Sequence, residues 1–189
     1  MNRALSLCVL ALMAGAVWAA DRENLSADQV RFGQGMADSL RSATGADFAF
    51  VPAGVLVDDL AGKTLASALL FPTEEVSVLK LTGAQVRQAL ERSVSLFPTN
   101  NPAFLHVSGL EVSFRASSTA ETRLVSVTGV DASQTYRVAM PSSLARGGLG
   151  YFTVWNRQPA EPGLELTMEQ VLKTGQPDPG PARWRAVGG

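Results

Sequence analysis

Residues 75–97, EVSVLKLTGAQVRQALERSVSLF, change their hydrophobic period part-way along. Up to Gly83 the chain alternates, with Val76, Val78 and Lys80 on one side and Ser77, Leu79 and Leu81 on the other, which is the period of a strand. Beyond Thr82 the apolar positions become Val86, Ala89, Leu90 and Val94, with Phe97 just past them, while Gln85, Arg87, Gln88, Glu91 and Arg92 are left for water. That is an amphipathic helix. A strand leading directly into a helix sets the character of the domain.

Working outward, residues 26–44 begin at the cap-competent Ser26 and carry Val30, Met36, Ala37 and Leu40 near helical spacing, which predicts a helix interrupted near Gly33 and Gly35. Residues 46–51, ADFAFV, read as a buried strand, and Thr64–Leu69 as a short helical segment. FLHVSGLEVSFR, RLVSVTGV and TYRVAMP read as further strands separated by Gly, Ser and Asp turns. TMEQVLKTG, starting at Thr167, reads as a last helix. LARGGLGYFTVW, residues 144–155, packs three glycines and three aromatics into a predicted tight turn that leads into a partly buried strand. Few strands are joined by long helical crossovers, so the expectation is an α+β single domain with a mixed β-sheet and packed helices.

Residues 1–20 are set apart as a signal peptide. Arg3 precedes the apolar run Leu5–Val17, which ends in the small-residue site Val17-Trp18-Ala19. Cleavage near Ala19 or Ala20 implies a periplasmic or secreted protein, with no membrane association afterwards. Cys8, the single cysteine, lies inside that run, so the mature chain would contain neither a disulfide nor a thiolate metal site. Loss of Arg3 moves the formal charge from −1 to about −2 with both signs interspersed, which excludes a polybasic nucleic-acid footprint. Residues 21–175 are read as the domain, and 176–189, rich in Gly and Pro, as a flexible tail.

Catalytic equipment is sparse. His106 is the single histidine, at a strand start and without a nucleophile elbow such as G-x-S-x-G elsewhere in the chain. Asp58-Asp59 and Glu74-Glu75 are adjacent pairs, and neighbours on an extended chain point to opposite faces, so neither pair offers two carboxylates to one ligand. No catalytic residue, metal ligand or cofactor is assigned from the sequence.

Five separated motifs carry a resemblance: GMADSLRSATGADFAFVPAG, LTGAQVRQALERSV, FLHVSGLEVSF, YRVAM and LARGGLGYF. In order and spacing they are similar to the C-terminal domain of the 5′-nucleotidase family. The resemblance implies a 5′-nucleotidase C-terminal-domain-like fold. In that family this domain supplies the nucleoside specificity pocket, and a separate N-terminal metallophosphoesterase domain holds two metal ions and performs the hydrolysis. About a dozen residues separate the signal from the first matching motif, so the catalytic domain is expected to be absent.

Carried over residue by residue, the family pocket is incomplete. Its Asn-x-Gly-Gly-x-Arg segment corresponds to PAGVLV, where Gly54 is kept but Pro52, Val55 and Val57 replace the Asn, the second Gly and the phosphate-side Arg. Valine cannot give the bidentate contacts of a guanidinium. Pro-Phe-x-Asn falls on Phe71-Pro72-Thr73-Glu74, leaving Phe71 as the displaced stacking aromatic. Gly-Gly-Asp-Gly becomes Gly147-Gly148-Leu149-Gly150, followed by the second aromatic, Tyr151. The resemblance thus implies ligand contacts at Tyr151, Phe71, Gly147, Gly148, Gly150, Gly54 and Asn156, with the two aromatics sandwiching a planar ring. The expected function is a non-catalytic module for a planar or nucleoside-like ligand, or the substrate-facing subunit of a separate metallophosphoesterase. An independent nucleotide hydrolase and a ligand-free interaction module are the alternatives.

Overall fold

The computed structural model describes residues 26–99, 101–116, 122–155 and 158–187; the predicted signal peptide and Asn156 lie outside them. Helix α1, Ala27–Thr44, opens on a capping box in which Ser26 and Gln29 bond each other's backbone N–H, and it closes at Gly45 in the left-handed region, φ 58°. Strand β1 is Phe48–Pro52, buried throughout. Short 3-10 turns at Ala53–Val55 and Ala66–Ala68 follow.

The change of period at Thr82 has a physical cause. Strand β2, Val76–Thr82, ends on the residue that caps helix α2, Gly83–Val94. The Thr82 hydroxyl accepts from Gln85 N at 3.2 Å, and Gln85 Oε1 accepts from Thr82 N at 2.9 Å, so one side chain ends the strand and starts the helix.

Strands β3, Leu105–Ser108, and β4, Val112–Phe114, come from the single segment FLHVSGLEVSF but belong to different sheets, the chain breaking between them at Gly109 (φ 87°). Strands β5, Leu124–Val127, and β6, Thr135–Pro141, precede the short helices α3, Ser142–Ala145, and α4, Phe152–Trp155. Helix α5, Met168–Leu172, and strand β7, Trp184–Ala186, complete the chain. The main sheet runs β2-β6-β1-β3, with β1 parallel to β6 and both other pairs antiparallel; a second sheet runs β5-β4-β7. This is the expected α+β domain with mixed sheets.

Both faces of the main sheet are buried, and strand alternation assigns the residues. Phe48, Phe50, Leu79, Leu81, Val138 and Met140 face a core shared with α2 and the second sheet. Ala49, Val51, Val76, Val78 and Ala139 face a second core under α1 and α5. Helices cover one side and a helix plus a sheet the other.

Three sequence expectations are corrected. Residues 152–155 form a helix, not a strand, because the turn at 147–150 delivers Tyr151, just before it, and Trp155 at its end inward. Residues 176–187 do not form a loose tail. Trp184 is buried and donates to Leu105 O at 2.7 Å, and β7 pairs in parallel with β4. Arg183 binds Asp38 Oδ2 at 2.6 Å, Asp178 Oδ2 at 3.0 Å and Val107 O at 2.6 Å, fastening the segment across α1 and β3. Finally, α1 is continuous through Gly33 and Gly35.

Those two glycines are present for clearance. A Cβ on Gly33 would lie inside the His106 imidazole, and one on Gly35 would meet Pro177 Cα at 3.0 Å, so the helix backbone is the packing surface. Gly33→Ala is expected to cost about 2 kcal/mol through overpacking. Combining it with His106→Ala should recover most of that loss, a coupling that urea denaturation of the single and double variants would reveal.

Candidate functional site

Three connecting segments, 53–75, 95–104 and the chain after Pro141, meet at one end of the main sheet, and the strand register requires it. Pro52 at the end of β1 is opposite Leu105 at the start of β3, and Val76 at the start of β2 is opposite Pro141 at the end of β6. Because β1 and β6 are parallel, the loops after them and the loops before β2 and β3 leave the same edge. Crevices at such strand ends are where sheet proteins commonly place ligands.

Direct bonds tie the three segments together. Ala53 N donates to Phe104 O at 2.7 Å and Gly54 N to Pro102 O at 2.9 Å. Ser142 N donates to Glu75 O at 2.9 Å, and Ser143 N to the Glu74 carboxylate at 2.7 Å. Tyr151, in the same segment as Ser142, donates to Ala103 O at 2.7 Å. Glu74 therefore caps α3, and Asp59 accepts from Ala61 N at 3.0 Å within its own turn, so each acidic pair includes a carboxylate held by a local backbone bond.

Phe71 stands on the rim, 59% exposed, and its ring is free to meet a ligand. Tyr151 does not match it. Its ring is wholly buried, stacked on Trp155 with centroids 4.9 Å apart and an interplanar angle of 11°. Burial pushes its phenol well above the ordinary tyrosine range, so the hydroxyl is a permanent donor to Ala103 O. The open Tyr151–Phe71 sandwich is thus corrected: the hydroxyl found a partner in the core, and the ring followed it.

The glycines serve the turn itself. Gly147 (φ 89°) and Gly150 (φ 80°) occupy the left-handed region; a Cβ on Gly147 would meet Phe152 Cα at 2.7 Å, and one on Gly148 would meet Ser143 O at 2.7 Å. Gly54 is pressed against Pro102, whose Cβ would lie 2.9 Å from an added carbon. These close approaches are to the protein's own chain. Leu149 also adopts the left-handed region, φ 54°, though it has a Cβ and is 42% exposed. Leu149→Asn is expected to stabilise the domain by about 0.5–1 kcal/mol, since asparagine tolerates this conformation better. Thermal melting of the two proteins checks it.

Arg92 is the residue that sequence reasoning missed. Placed toward water by periodicity, its guanidinium instead turns inward, with Cζ 5.3 Å from the Tyr151 centroid and Nη2 donating to Leu149 O at 2.6 Å. The available signal was its position three residues after Ala89, on the border of the apolar stripe, from which a long stem can lie along apolar surface. His106 starts near the same edge but points into the core beneath α1. Burial lowers its pKa from 6.5 to about 4, and its Nε2 has no partner among the described residues. Among the described residues, no group of three His, Cys, Asp or Glu side chains is placed to hold a metal ion.

The profile of the 5′-nucleotidase C-terminal domain matches residues 11–157, well over half of the chain. The protein belongs to this family. A 5′-nucleotidase-related protein of Glossina morsitans morsitans is 35% identical over 150 residues, covering 68% of this chain and 27% of that one. Among solved structures, the 5′-nucleotidase precursor of Thermus thermophilus superposes with a TM-score of 0.68 at 22% identity, covering 84% of this chain and 36% of its own. The Haemophilus influenzae NAD nucleotidase gives 0.67 at 21%, covering 84% and 33%. As a 5′-nucleotidase C-terminal domain, the chain spans about a third or less of the length of these relatives.

Proposed function

We propose that this 5′-nucleotidase C-terminal domain is a non-catalytic binding module that takes a planar, nucleoside-like ligand at the edge of its main sheet where these three segments meet. The observation that carries this reading is the convergence of three mutually bonded segments, one of which carries the exposed aromatic ring of Phe71 and another the glycine turn 147–150. A base stacked on an exposed ring contributes about 1–3 kcal/mol, and Val57, where the resemblance implies an arginine, adds no charged anchor, so micromolar or weaker affinity is expected. His106, buried and neutral, is not positioned as a general base for a ligand at that edge. Export, implied by the apolar N-terminal run, would place the module in the periplasm or outside the cell.

Calorimetric titration with nucleosides, nucleotides and UDP-sugars tests the reading. A saturable signal lost in Phe71→Ala supports it, and the absence of any signal sinks it. Phosphate release from AMP with added Mn²⁺ or Zn²⁺, above a mock preparation, would establish the hydrolase alternative instead.

A second reading is favoured by a separate observation. Phe71, Leu149 and Phe152 are all large, apolar and exposed on these loops, at 59%, 42% and 57%. Apolar rims of this kind often meet another protein. The domain would then be the substrate-facing subunit of a separate metallophosphoesterase, recoverable from a periplasmic extract with tagged protein and lost when Phe71 and Phe152 become serine.

A further inference from the structure

We propose that Glu74 makes the Phe71 edge selective for guanine-type bases: a base stacked on the exposed ring turns its hydrogen-bonding edge to the Glu74 carboxylate, which accepts from guanine and repels adenine. The proposal rests on the ligand-binding reading above and names the base it takes. Phe71 and Glu74 close one tight turn, with Glu74 N donating to Phe71 O at 3.2 Å, which keeps their Cα atoms within about 7 Å of each other. The start of α5 braces that turn, since Met168 N donates to Glu74 O at 2.7 Å and Glu169 N to Pro72 O at 3.0 Å. On the other flank Leu70 N donates to Val55 O at 2.9 Å. Ring and carboxylate are thus displayed from a fixed backbone, which lowers the ordering cost of recognition.

The carboxylate is held and still has capacity to spare. Glu74 is half-buried, its Oε1 accepts from Ser143 N at 2.7 Å, and among the described residues no hydrogen bond or ion pair engages Oε2. A carboxylate only accepts, and Oε2 with the second lone pair of Oε1 can take two donors. Guanine offers two adjacent donors, N1–H and the N2 amino group; hypoxanthine offers N1–H alone. Adenine offers one amino donor beside the N1 lone pair, which faces the carboxylate with like charge. The same turn does not reverse this preference, because its other exposed polar side chains are the Thr73 hydroxyl and the Glu75 carboxylate. A charged acceptor left facing a lone pair is a heavier penalty than a missing apolar contact, so an about tenfold preference for guanosine over adenosine is expected.

The test is calorimetric titration of guanosine, inosine and adenosine into the wild type and Glu74→Gln, with thermal melting to establish that the variant is folded. Glutamine keeps an oxygen for Ser143 N, so the cap of α3 survives while the purely accepting edge is lost. Guanosine bound about tenfold tighter than adenosine, with inosine between them, and a preference that shrinks to less than threefold in Glu74→Gln support the assignment. Equal affinity for guanosine and adenosine in the wild type overturns it without recourse to any variant and leaves the ligand site standing. A guanosine preference that is unchanged in Glu74→Gln overturns the role of Glu74, and no binding of any of the three nucleosides overturns the ligand-binding reading as well.

Discussion

Trp184→Ala is expected to lower the unfolding free energy by about 4 kcal/mol, the range for removing a buried tryptophan. The indole is 6% exposed, packs against Phe104 and Phe114 at centroid distances of 5.2 and 5.9 Å, and donates to Leu105 O. Its loss empties the junction between the two sheets and leaves a buried carbonyl without its donor. Urea denaturation should show a lower midpoint with little change in slope. Truncation after residue 175 should be at least as damaging, because it also removes Arg183 from Asp38 and strips β7 from β4. A truncated protein with unchanged stability would show the C-terminal segment to be dispensable.

The second large effect is expected on acidification. Burial lowers the pKa of His106 to about 4 in the folded protein from 6.5 for a free imidazole, so between these limits the unfolded chain binds the extra proton. Stability is therefore greatest above pH 6.5, falls as the pH is lowered, and levels off for this group below about pH 4. The full loss is about 3 kcal/mol. Glu161 and Asp131 also titrate, but their pKa values are lowered by a hydrogen bond from Arg137 and by hydrogen bonds from Ser133, Glu161 being partly exposed and Asp131 exposed. Their stabilising effect is lost only as the pH drops below the ordinary carboxylate range. Unfolding measured from pH 7 to 4 in the wild type and in His106→Leu separates them: the variant should be nearly flat where the wild type declines.

Much of the fold is legible in the sequence because local and tertiary preferences agree. Ser26, Thr82 and Thr167 each carry the capping glutamine three residues on, and each starts a helix. The alternation in β2 assigns Val76 and Val78 to one core and Leu79 and Leu81 to the other, as found. The failures share a cause, since each depends on a partner distant in sequence. Residues 176–187 have the composition of a linker, yet one tryptophan and one arginine, bonded to β3 and α1, fix their course. Gly33 and Gly35 look like helix breakers until His106 and Pro177 are seen against them. The family resemblance implies a ligand contact at Tyr151, but its direction is set by Ala103, 48 residues earlier. Phe71 is reached only through the family resemblance, and the contact of Arg92 with Tyr151 cannot be read from sequence.

The pairing of β7 with β4 also dictates an order of assembly. The middle strand of the second sheet has its partner β5 soon after it, but the other flank stays open until Trp184 arrives, some seventy positions later in the chain. Until then the aromatic junction with the main sheet lacks its indole, and a growing polypeptide exposes apolar surface there. Closing so long a loop is slow, so the interval before it closes is when this domain is most in need of a chaperone.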